Sequence, residues 1–302
     1  LAQIFDYGIA DPAAVGAQIA FLWGGSTQLV SAWHSANPKT IVSYYMPMGL
    51  DNGGFASGAQ QSLSWWQQHH PSWVLYTCDG KTPAYVNSED DMPLDLHNPA
   101  VLAWEMQMYV NPAAQAGYDA IAVDLVQLEN WGGACGTYQN GTWTPRYSGD
   151  PVDAQWQADV DAWLGALQTN LHGLNMRLVP NFAYGGLPLT SSGVLTGLRH
   201  SDAILDESGF TSFGAGYVTD DAWSALQAFI GAAHAQGVPY YTIDQFSGSV
   251  TDADQLWAVA NYLLSAGPDD ALAITTVQGY GSFVTYPAET LGLGAPNGAM
   301  RA

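Results

Sequence analysis

Four short β-rich runs of this chain end in a carboxylate. They are Trp73–Asp79, Asp119–Asp124, Ala203–Glu207 and Pro239–Asp244. Burying an ionised acid at a strand end is costly unless the acid is paired or used. The carboxyl ends of successive parallel strands converge on one face of a barrel, and barrel enzymes keep their chemistry on that face. The pattern therefore predicts a cluster of acids at one candidate active site.

Asp124 and Glu207 are the strongest candidates for catalysis among these acids. Asp124 follows the apolar run Ile121–Val123, and Glu207 ends a strand two places further along the predicted barrel. Two carboxylates that flank a bond suit glycoside hydrolysis, because one donates a proton to the leaving oxygen while the other attacks the anomeric carbon or activates water. The alternative for each acid is a structural role, bonded to loop amides or to an arginine. The scarcity of basic residues weakens that alternative.

Asp206 is a rival to Glu207 for the second role. Side chains alternate along a strand, so only one of these two neighbours can face the barrel lumen. Glutamate reaches farther than aspartate, and Glu207 is the later residue, nearer the mouth of the barrel. We therefore favour Glu207.

Side chains at other predicted strand ends and in the loops that follow could bind a sugar. Polar groups there could hold sugar hydroxyls, although each could equally anchor a loop. Aromatic rings can stack on the C–H faces of sugars, but a loop aromatic is modest evidence in a chain with 12 Trp and 16 Tyr. The candidates are Asp6, Tyr44, Asp79, Trp131, Asn181, Phe210, Asp244 and Tyr280.

Eight strand-like runs alternate with helical patterns along the chain. The predicted strands are Ile4–Ile9, Thr40–Met46, Trp73–Cys78, Ala120–Leu125, Arg177–Phe182, Ala203–Glu207, Pro239–Ile243 and Ala271–Val277. Several are continuously apolar, as expected of strands covered on both faces. Helical spacing of apolar residues between them is clearest over Trp156–Leu171. This alternation predicts an α/β fold, a single (β/α)8 TIM barrel that spans residues 1–302 as one domain.

Three glycine-rich stretches follow the predicted second, fourth and fifth strands. They are Gly49–Gly58, Gly132–Gly149 and Gly185–Gly193. We expect them to form long loops over the C-terminal face of the barrel. The tail 292–302 looks irregular, so we expect the eighth helix to be short or absent.

The charge balance is acidic because bases are missing. Lys and Arg total 6 against 27 Asp and Glu, for a formal charge of −21. With few bases, protonating the carboxylates leaves only a small positive charge, so we interpret the composition as adaptation to acid. Compositional drift in a secreted protein is the alternative. Six bases cannot build a phosphate-binding patch, so nucleic acid and anionic membranes are not expected partners.

The two cysteines favour an oxidising compartment. Cys78 ends the predicted third strand and Cys135 lies in the loop after the fourth, so a Cys78–Cys135 disulfide is expected, with two free buried thiols as the alternative. The chain has no metal-binding CxxC or HExxH spacing and no nucleotide-binding glycine signature, so we expect neither a metal nor a cofactor. It opens without a charged-then-apolar leader, so either a signal peptide is already removed or there never was one. We expect an extracellular protein.

Three phrases of the chain resemble (β/α)8 glycoside hydrolases. They are Trp73–Gly80, Leu94–Ala100 and Gly117–Asp124. The phrases are similar to the hypothetical glycosyl-hydrolase-like family 15 and, more distantly, to glycoside hydrolase family 114, the endo-α-1,4-galactosaminidases; the resemblance covers roughly residues 70–210. It implies a retaining endo-hydrolase with Asp124 as nucleophile and Glu207 as acid/base. Ala120 and Leu125 depart from the pattern, which often has Gly and Asn there, and this puts the substrate in doubt.

The sequence as a whole predicts a secreted, acid-adapted glycoside hydrolase that acts on a neutral or amino-sugar polysaccharide. A non-catalytic carbohydrate-binding barrel is the main alternative, since it would keep the aromatics without using the acid pair. An extracellular structural coat protein is a third. Glycan binding and turnover distinguish the three.

Overall fold

The computed structural model describes residues 1–51, 61–86, 91–183 and 187–290. Parts of the glycine-rich stretches 49–58 and 185–193, and the tail 292–302, lie outside the described residues. In order along the chain, the strands are β1 (Ala2–Ile4), β2 (Phe21–Trp23), β3 (Ile41–Pro47), β4 (Leu50–Asp51), β5 (Tyr76–Thr77), β6 (Met92–Pro93), β7 (Ala120–Gln127), β8 (Ala134–Gln139), β9 (Thr142–Pro145), β10 (Arg177–Ala183), β11 (Ile204–Asp206), β12 (Tyr240–Phe246) and β13 (Ala271–Thr276).

Eight of these described strands form one sheet. Its order is β1-β2-β3-β7-β10-β11-β12-β13, and the registered pairs within it are parallel. The first strand, β1, also contacts the last, β13. Strands in chain order joined by helical crossovers define the (β/α)8 barrel, so the predicted fold class is confirmed.

Helices lie between the strands. They are α1 (Val30–Ala36), α2 (Leu63–His69), α3 (Pro99–Glu105), α4 (Asn111–Ala116), α5 (Ala154–Gly173), α6 (Ser192–Gly197), α7 (Asp220–Ala235) and α8 (Asp252–Ser265). The segment Met106–Val110 between α3 and α4 is π-helical. Among the described helices, none is long and apolar enough to cross a membrane.

The described residues group into two compact units. Unit 1 comprises residues 1–43 and 202–290, and unit 2 comprises the described residues between 44 and 201. In unit 2, α5 buries the apolar face that its spacing predicts, and Trp66, Leu94 and their neighbours form a second cluster. In unit 1, α8 packs its buried residues against β12 and β13, where Leu272 and Ile274 are buried. Each unit therefore has its own core.

The predicted third strand, Trp73–Cys78, is not a strand of the barrel sheet. Only Tyr76–Thr77 forms a strand there, and it pairs antiparallel with β8 in a separate sheet of order β5-β8-β9, while Val74 makes an isolated antiparallel bridge to Leu94. The missing barrel strand is Phe21–Trp23, which pairs with both β1 and β3. An apolar run by itself does not reveal its pairing partner. The prediction that Trp73–Cys78 is a barrel strand was therefore wrong. Ile41–Pro47 is consequently the third barrel strand and not the second.

The predicted loop 132–149 contains a β-hairpin. Strands β8 and β9 pair antiparallel on either side of Asn140-Gly141, and both turn residues have positive φ, 52° and 78°. Asn-Gly is the favoured pair for such a two-residue turn. Cys135 on β8 forms the predicted disulfide with Cys78, next to β5, with 4.9 Å between the two Cα atoms. The disulfide is therefore confirmed.

Candidate active site

A β-bulge in unit 2 carries Asp124. The register of β7 against β10 places Val123 beside Pro180 and Val126 beside Phe182, so Asp124 and Leu125 lie opposite the single residue Asn181. Leu125 adopts a left-handed conformation with φ 54°, which costs an ordinary L-residue about 1–2 kcal/mol. Bulges redirect side chains at the ends of strands. The local backbone is therefore built to aim the Asp124 carboxylate.

Three uncharged donors hold the half-buried Asp124 carboxylate. Tyr45 donates its hydroxyl to Oδ2 at 2.7 Å, and Asn181 donates Nδ2–H to Oδ1 at 2.9 Å. The backbone N–H of Leu125 also donates to Oδ1, at 2.8 Å. Hydrogen bonds to both oxygens fix the plane of the carboxylate without a basic partner among these donors.

Glu207 in unit 1 is held in a similar way. It directly follows β11 and is half-buried. Tyr280 donates its hydroxyl to Glu207 Oε1 at 2.5 Å, while Gln245 on β12 donates Nε2–H to the Glu207 carbonyl oxygen at 2.7 Å. One bond restrains the side chain and the other restrains the backbone that carries it.

Asp206, the rival of Glu207, is buried and occupied by local bonds. Its Oδ1 accepts the backbone N–H groups of Ser208 and Gly209, both at 3.0 Å, and its Oδ2 accepts the hydroxyl of Tyr240. These bonds shape the turn that leaves β11. Asp206 therefore has the structural role that the sequence left open for each acid.

Asp6 and Asp244 are also buried acids at barrel strands. Asp6 accepts Trp33 Nε1–H at 2.8 Å and the Ser26 backbone N–H at 2.9 Å. Asp244 lies within β12 and accepts the Phe210 N–H at 2.7 Å, and burial raises the pKa of Asp244 to about 7. Both side chains support loops from inside the protein.

Asp79 does not end a barrel strand, contrary to the prediction. It is exposed and organises the turn after β5, where its carboxylate accepts bonds from Thr77, Lys81 and Thr82. Backbone bonds from Thr82 and Lys81, with the hydroxyls of Thr82 and Thr77, hold the pKa of Asp79 well below its usual value. Asp79 therefore has a structural role in this turn.

The predicted aromatic candidates fall into different environments. Phe210 is buried, so its ring lies in the core and not on a loop surface. Tyr44 packs edge-on against Tyr118, with 5.3 Å between the ring centroids. Trp131 is exposed and donates Nε1–H to Glu129 at 2.9 Å, so it remains available to a ligand.

Sequence reasoning missed Tyr45 and Gln245. Neighbours on a strand point to opposite faces, so choosing Tyr44 on β3 excluded the residue that contacts Asp124. Gln245 follows Asp244 by the same alternation and contacts Glu207. Testing both members of each pair at a strand end would have found both residues.

Solved structures share the fold, whereas no family model and no curated protein matches the sequence. A cycloisomaltooligosaccharide glucanotransferase from Paenibacillus sp., complexed with cycloisomaltoheptaose, has a TM-score of 0.52 at 11% identity and covers 80% of this chain. Amy13B from Eubacterium rectale has a TM-score of 0.52 at 10% identity and covers 91% of it. The match spans 38% of the first protein and 64% of the second. A class V chitinase from Nicotiana tobaccum is also similar, with a TM-score of 0.43 at 12% identity over 81% of this chain and 66% of its own.

At identities of 10% and 11%, the two likenesses with a TM-score of 0.52 show a shared fold alone. At these identities, the roles of individual site residues cannot be transferred from the similar structures. They depend on the local geometry of each unit, in which a half-buried carboxylate is held by uncharged donors.

Proposed function

We propose that this chain is a glycoside hydrolase that cleaves a neutral or amino-sugar polysaccharide. Asp124 acts as the nucleophile and Glu207 as the general acid/base. The resemblance to retaining endo-hydrolases motivates the roles, and the fold shared with a glucanotransferase bound to a cyclic oligosaccharide is compatible with them. The proposed substrate contacts are Asp6, Tyr44, Asp79, Trp131, Asn181, Phe210, Asp244 and Tyr280. Burial of Asp6, Phe210 and Asp244, and the turn bonds of Asp79, count against contact of these four with a substrate.

The exposure of the barrel-strand acids carries the proposal. Asp6, Asp206 and Asp244 are buried, and each has at least one oxygen bonded within the protein, whereas Asp124 and Glu207 are only half-buried. A carboxylate that must reach a substrate needs such exposure, and a carboxylate that braces a loop does not. Glu207 directly follows β11 and Asp124 lies in the second half of β7, toward the strand ends at which barrel enzymes place catalytic groups.

The proposed reaction proceeds by double displacement. Glu207 gives its proton to the glycosidic oxygen while Asp124 attacks the anomeric carbon, so the leaving sugar departs as an alcohol and a glycosyl ester forms on Asp124. Glu207, now a carboxylate, takes a proton from water, and the resulting hydroxide displaces Asp124. Tyr45 and Asn181 orient the nucleophile, and Tyr280 and Gln245 orient the acid/base.

A panel of polysaccharides incubated at pH 2–5 tests this proposal. The wild-type chain should release reducing ends from at least one polysaccharide, and Asp124→Asn and Glu207→Gln should each lower the rate by about 10²-fold or more. Asp150→Asn, which changes an exposed acid, is the matched control and should keep wild-type activity. NMR of the first product anomer tests retention of configuration.

The outcomes separate the alternatives. Full activity in both Asp124→Asn and Glu207→Gln would remove the catalytic assignment. Glycan binding without release of reducing ends over days would favour the non-catalytic carbohydrate-binding barrel. The absence of both binding and release would favour a structural protein.

A further inference from the structure

A cavity of about 190 Å³ lies within unit 1. Its lining comes from the loop after β11, from the end of β12 and from the first turn of α8. The lining residues are Thr211, Gly214, Gly216, Tyr217, Gln245, Phe246, Ser247 and Asp254. Gln245 links this lining to the backbone of the proposed acid/base, because its amide donates to the Glu207 carbonyl oxygen at 2.7 Å.

A rigidly held aromatic ring forms part of this lining. Tyr217 is 45% exposed, yet it stacks on Trp257 with 4.5 Å between centroids and 19° between planes. Its hydroxyl donates to Asp254 at 2.7 Å, and Asp254 in turn accepts the backbone N–H and hydroxyl of Thr251. A ring fixed in advance loses little conformational entropy when a ligand stacks on it.

The chemistry of the lining favours an uncharged, hydroxylated ligand. Among the residues that line the cavity, Asp254 has the only charged side chain, and three donors already bond to it. The remaining lining is an aromatic face next to amide and hydroxyl groups, with no base to attract an anion. An apolar C–H face with hydroxyls at its edge matches such a surface, and a pyranose ring has both.

The loop that carries Tyr217 keeps a costly backbone. Ser212, Phe213 and Gly214 follow one another with φ of 47°, 56° and 77°. Two of these are ordinary L-residues, for which the left-handed region is unfavourable, and such strain is concentrated at functional sites. The loop is tied down by the Val218 N–H, which donates to the Phe210 carbonyl at 2.8 Å.

We infer that this cavity is a sugar-binding subsite, in which a neutral pyranose unit of the substrate stacks on Tyr217 next to the bond that Glu207 protonates. The inference rests on the proposed function, since it names a substrate contact of the same site. It adds the residue that would hold the sugar and the class of sugar accepted.

Binding is measured in the Glu207→Gln background, so that turnover does not consume the probe. The probes are maltoheptaose, isomaltoheptaose, cellohexaose and N-acetylchitohexaose, titrated by calorimetry and by intrinsic tryptophan fluorescence, to which Trp257 stacked on Tyr217 contributes. At least one probe should bind, and Tyr217→Ala should weaken its Kd by about tenfold or more. Ser247→Phe fills the cavity from the residue after β12 and should weaken binding to a similar extent. Because this variant keeps Tyr217, it tests the subsite even if Tyr217→Ala folds poorly.

Phe213→Ala is the matched control. Phe213 is 57% exposed on the same loop but does not line the cavity, so its loss should change Kd by less than about threefold. Unchanged binding in both Tyr217→Ala and Ser247→Phe, an equal loss in Phe213→Ala, or failure of every probe to bind would overturn the subsite.

Measuring turnover as well as binding distinguishes failure of the subsite from failure of the proposed function. If Tyr217→Ala loses binding while Asp124→Asn keeps full activity, the subsite stands and the catalytic assignment falls. If Tyr217→Ala binds normally while Asp124→Asn is inactive, the subsite falls and the hydrolase stands.

Discussion

Glu105 should make the free energy of unfolding fall as pH rises. Its side chain is fully buried at the end of α3, where it accepts Trp163 Nε1–H at 2.8 Å and the Gly49 backbone N–H at 3.1 Å. Burial raises the pKa of Glu105 from 4.5 to about 8. Above pH 4.5 the unfolded chain ionises this group while the folded protein keeps it protonated, so stability is complete below pH 4.5 and is lost progressively up to pH 8.

The magnitude follows from the width of that interval. Each pH unit between the two pKa values costs about 1.4 kcal/mol, so the loss from pH 4.5 to pH 8 reaches up to about 5 kcal/mol. Glu105→Gln removes this proton uptake but leaves one buried donor poorly satisfied, at a pH-independent cost of about 1–3 kcal/mol. The variant should therefore be less stable than wild type at pH 4 and more stable at pH 8, and the two curves should cross between about pH 5 and pH 7.

Guanidinium unfolding from pH 3 to pH 9 measures the effect. Between pH 4.5 and pH 8, the slope of unfolding free energy against pH should differ between the variant and wild type by about 1.4 kcal/mol per pH unit, which corresponds to one proton. Asp150→Asn, an exposed acid, should run parallel to wild type. A constant difference between Glu105→Gln and wild type at every pH would refute the argument, because it would mean that Glu105 ionises alike in both states.

Two further perturbations address other parts of the fold. Reducing the Cys78–Cys135 disulfide, which closes a sequence separation of 57 residues, should lower the unfolding free energy by about 4 kcal/mol through the entropy of the unfolded chain; a melt in dithiothreitol matching that of the oxidised protein would contradict this. Arg146 donates two hydrogen bonds to Asp159, at 2.6 and 2.7 Å. Burial alone would raise the pKa of Asp159, but these bonds and one from the Tyr147 hydroxyl lower it below 3.8. Asp159→Asn should cost about 2–3 kcal/mol at pH 6 and progressively less as pH falls below 3.8, and a loss that persists at pH 2 would show that the charge is not the source.

The sequence predicts what local pattern controls. The apolar run Ala120–Val123 is buried on β7, and the spacing in Trp156–Leu171 gives the buried face of α5. Trp73–Cys78 and Phe21–Trp23 look equally strand-like, and only non-local pairing decides that the second enters the barrel sheet. The order of the other barrel strands was predictable, whereas the membership of these two short runs was not, and the first strand was predicted at Ile4–Ile9 but lies at Ala2–Ile4.

The candidate site shows the same division. The apolar runs that end in a carboxylate predicted Asp124 and Glu207, but this pattern could not separate them from Asp244, which ends a similar run, or from Asp6 within the predicted first strand. What separates them is burial and bonding by residues distant in the sequence, such as Trp33 on Asp6. The bulge opposite Asn181 is equally invisible locally, since it depends on the register of β7 against β10.

The buried acids and the composition together define a pH range of greatest stability. Asp159 has a lowered pKa, so its stabilisation is present above pH 3.8 and disappears below it. Glu105 and Asp244 have raised pKa values, so the folded state loses stability as pH rises above 4.5 and 3.8 respectively. The 27 acids with only 6 bases act in the same direction, because their mutual repulsion grows as they ionise. Stability should therefore peak near pH 4, and a maximum above pH 6 would contradict both the adaptation to acid and the buried-acid account of it.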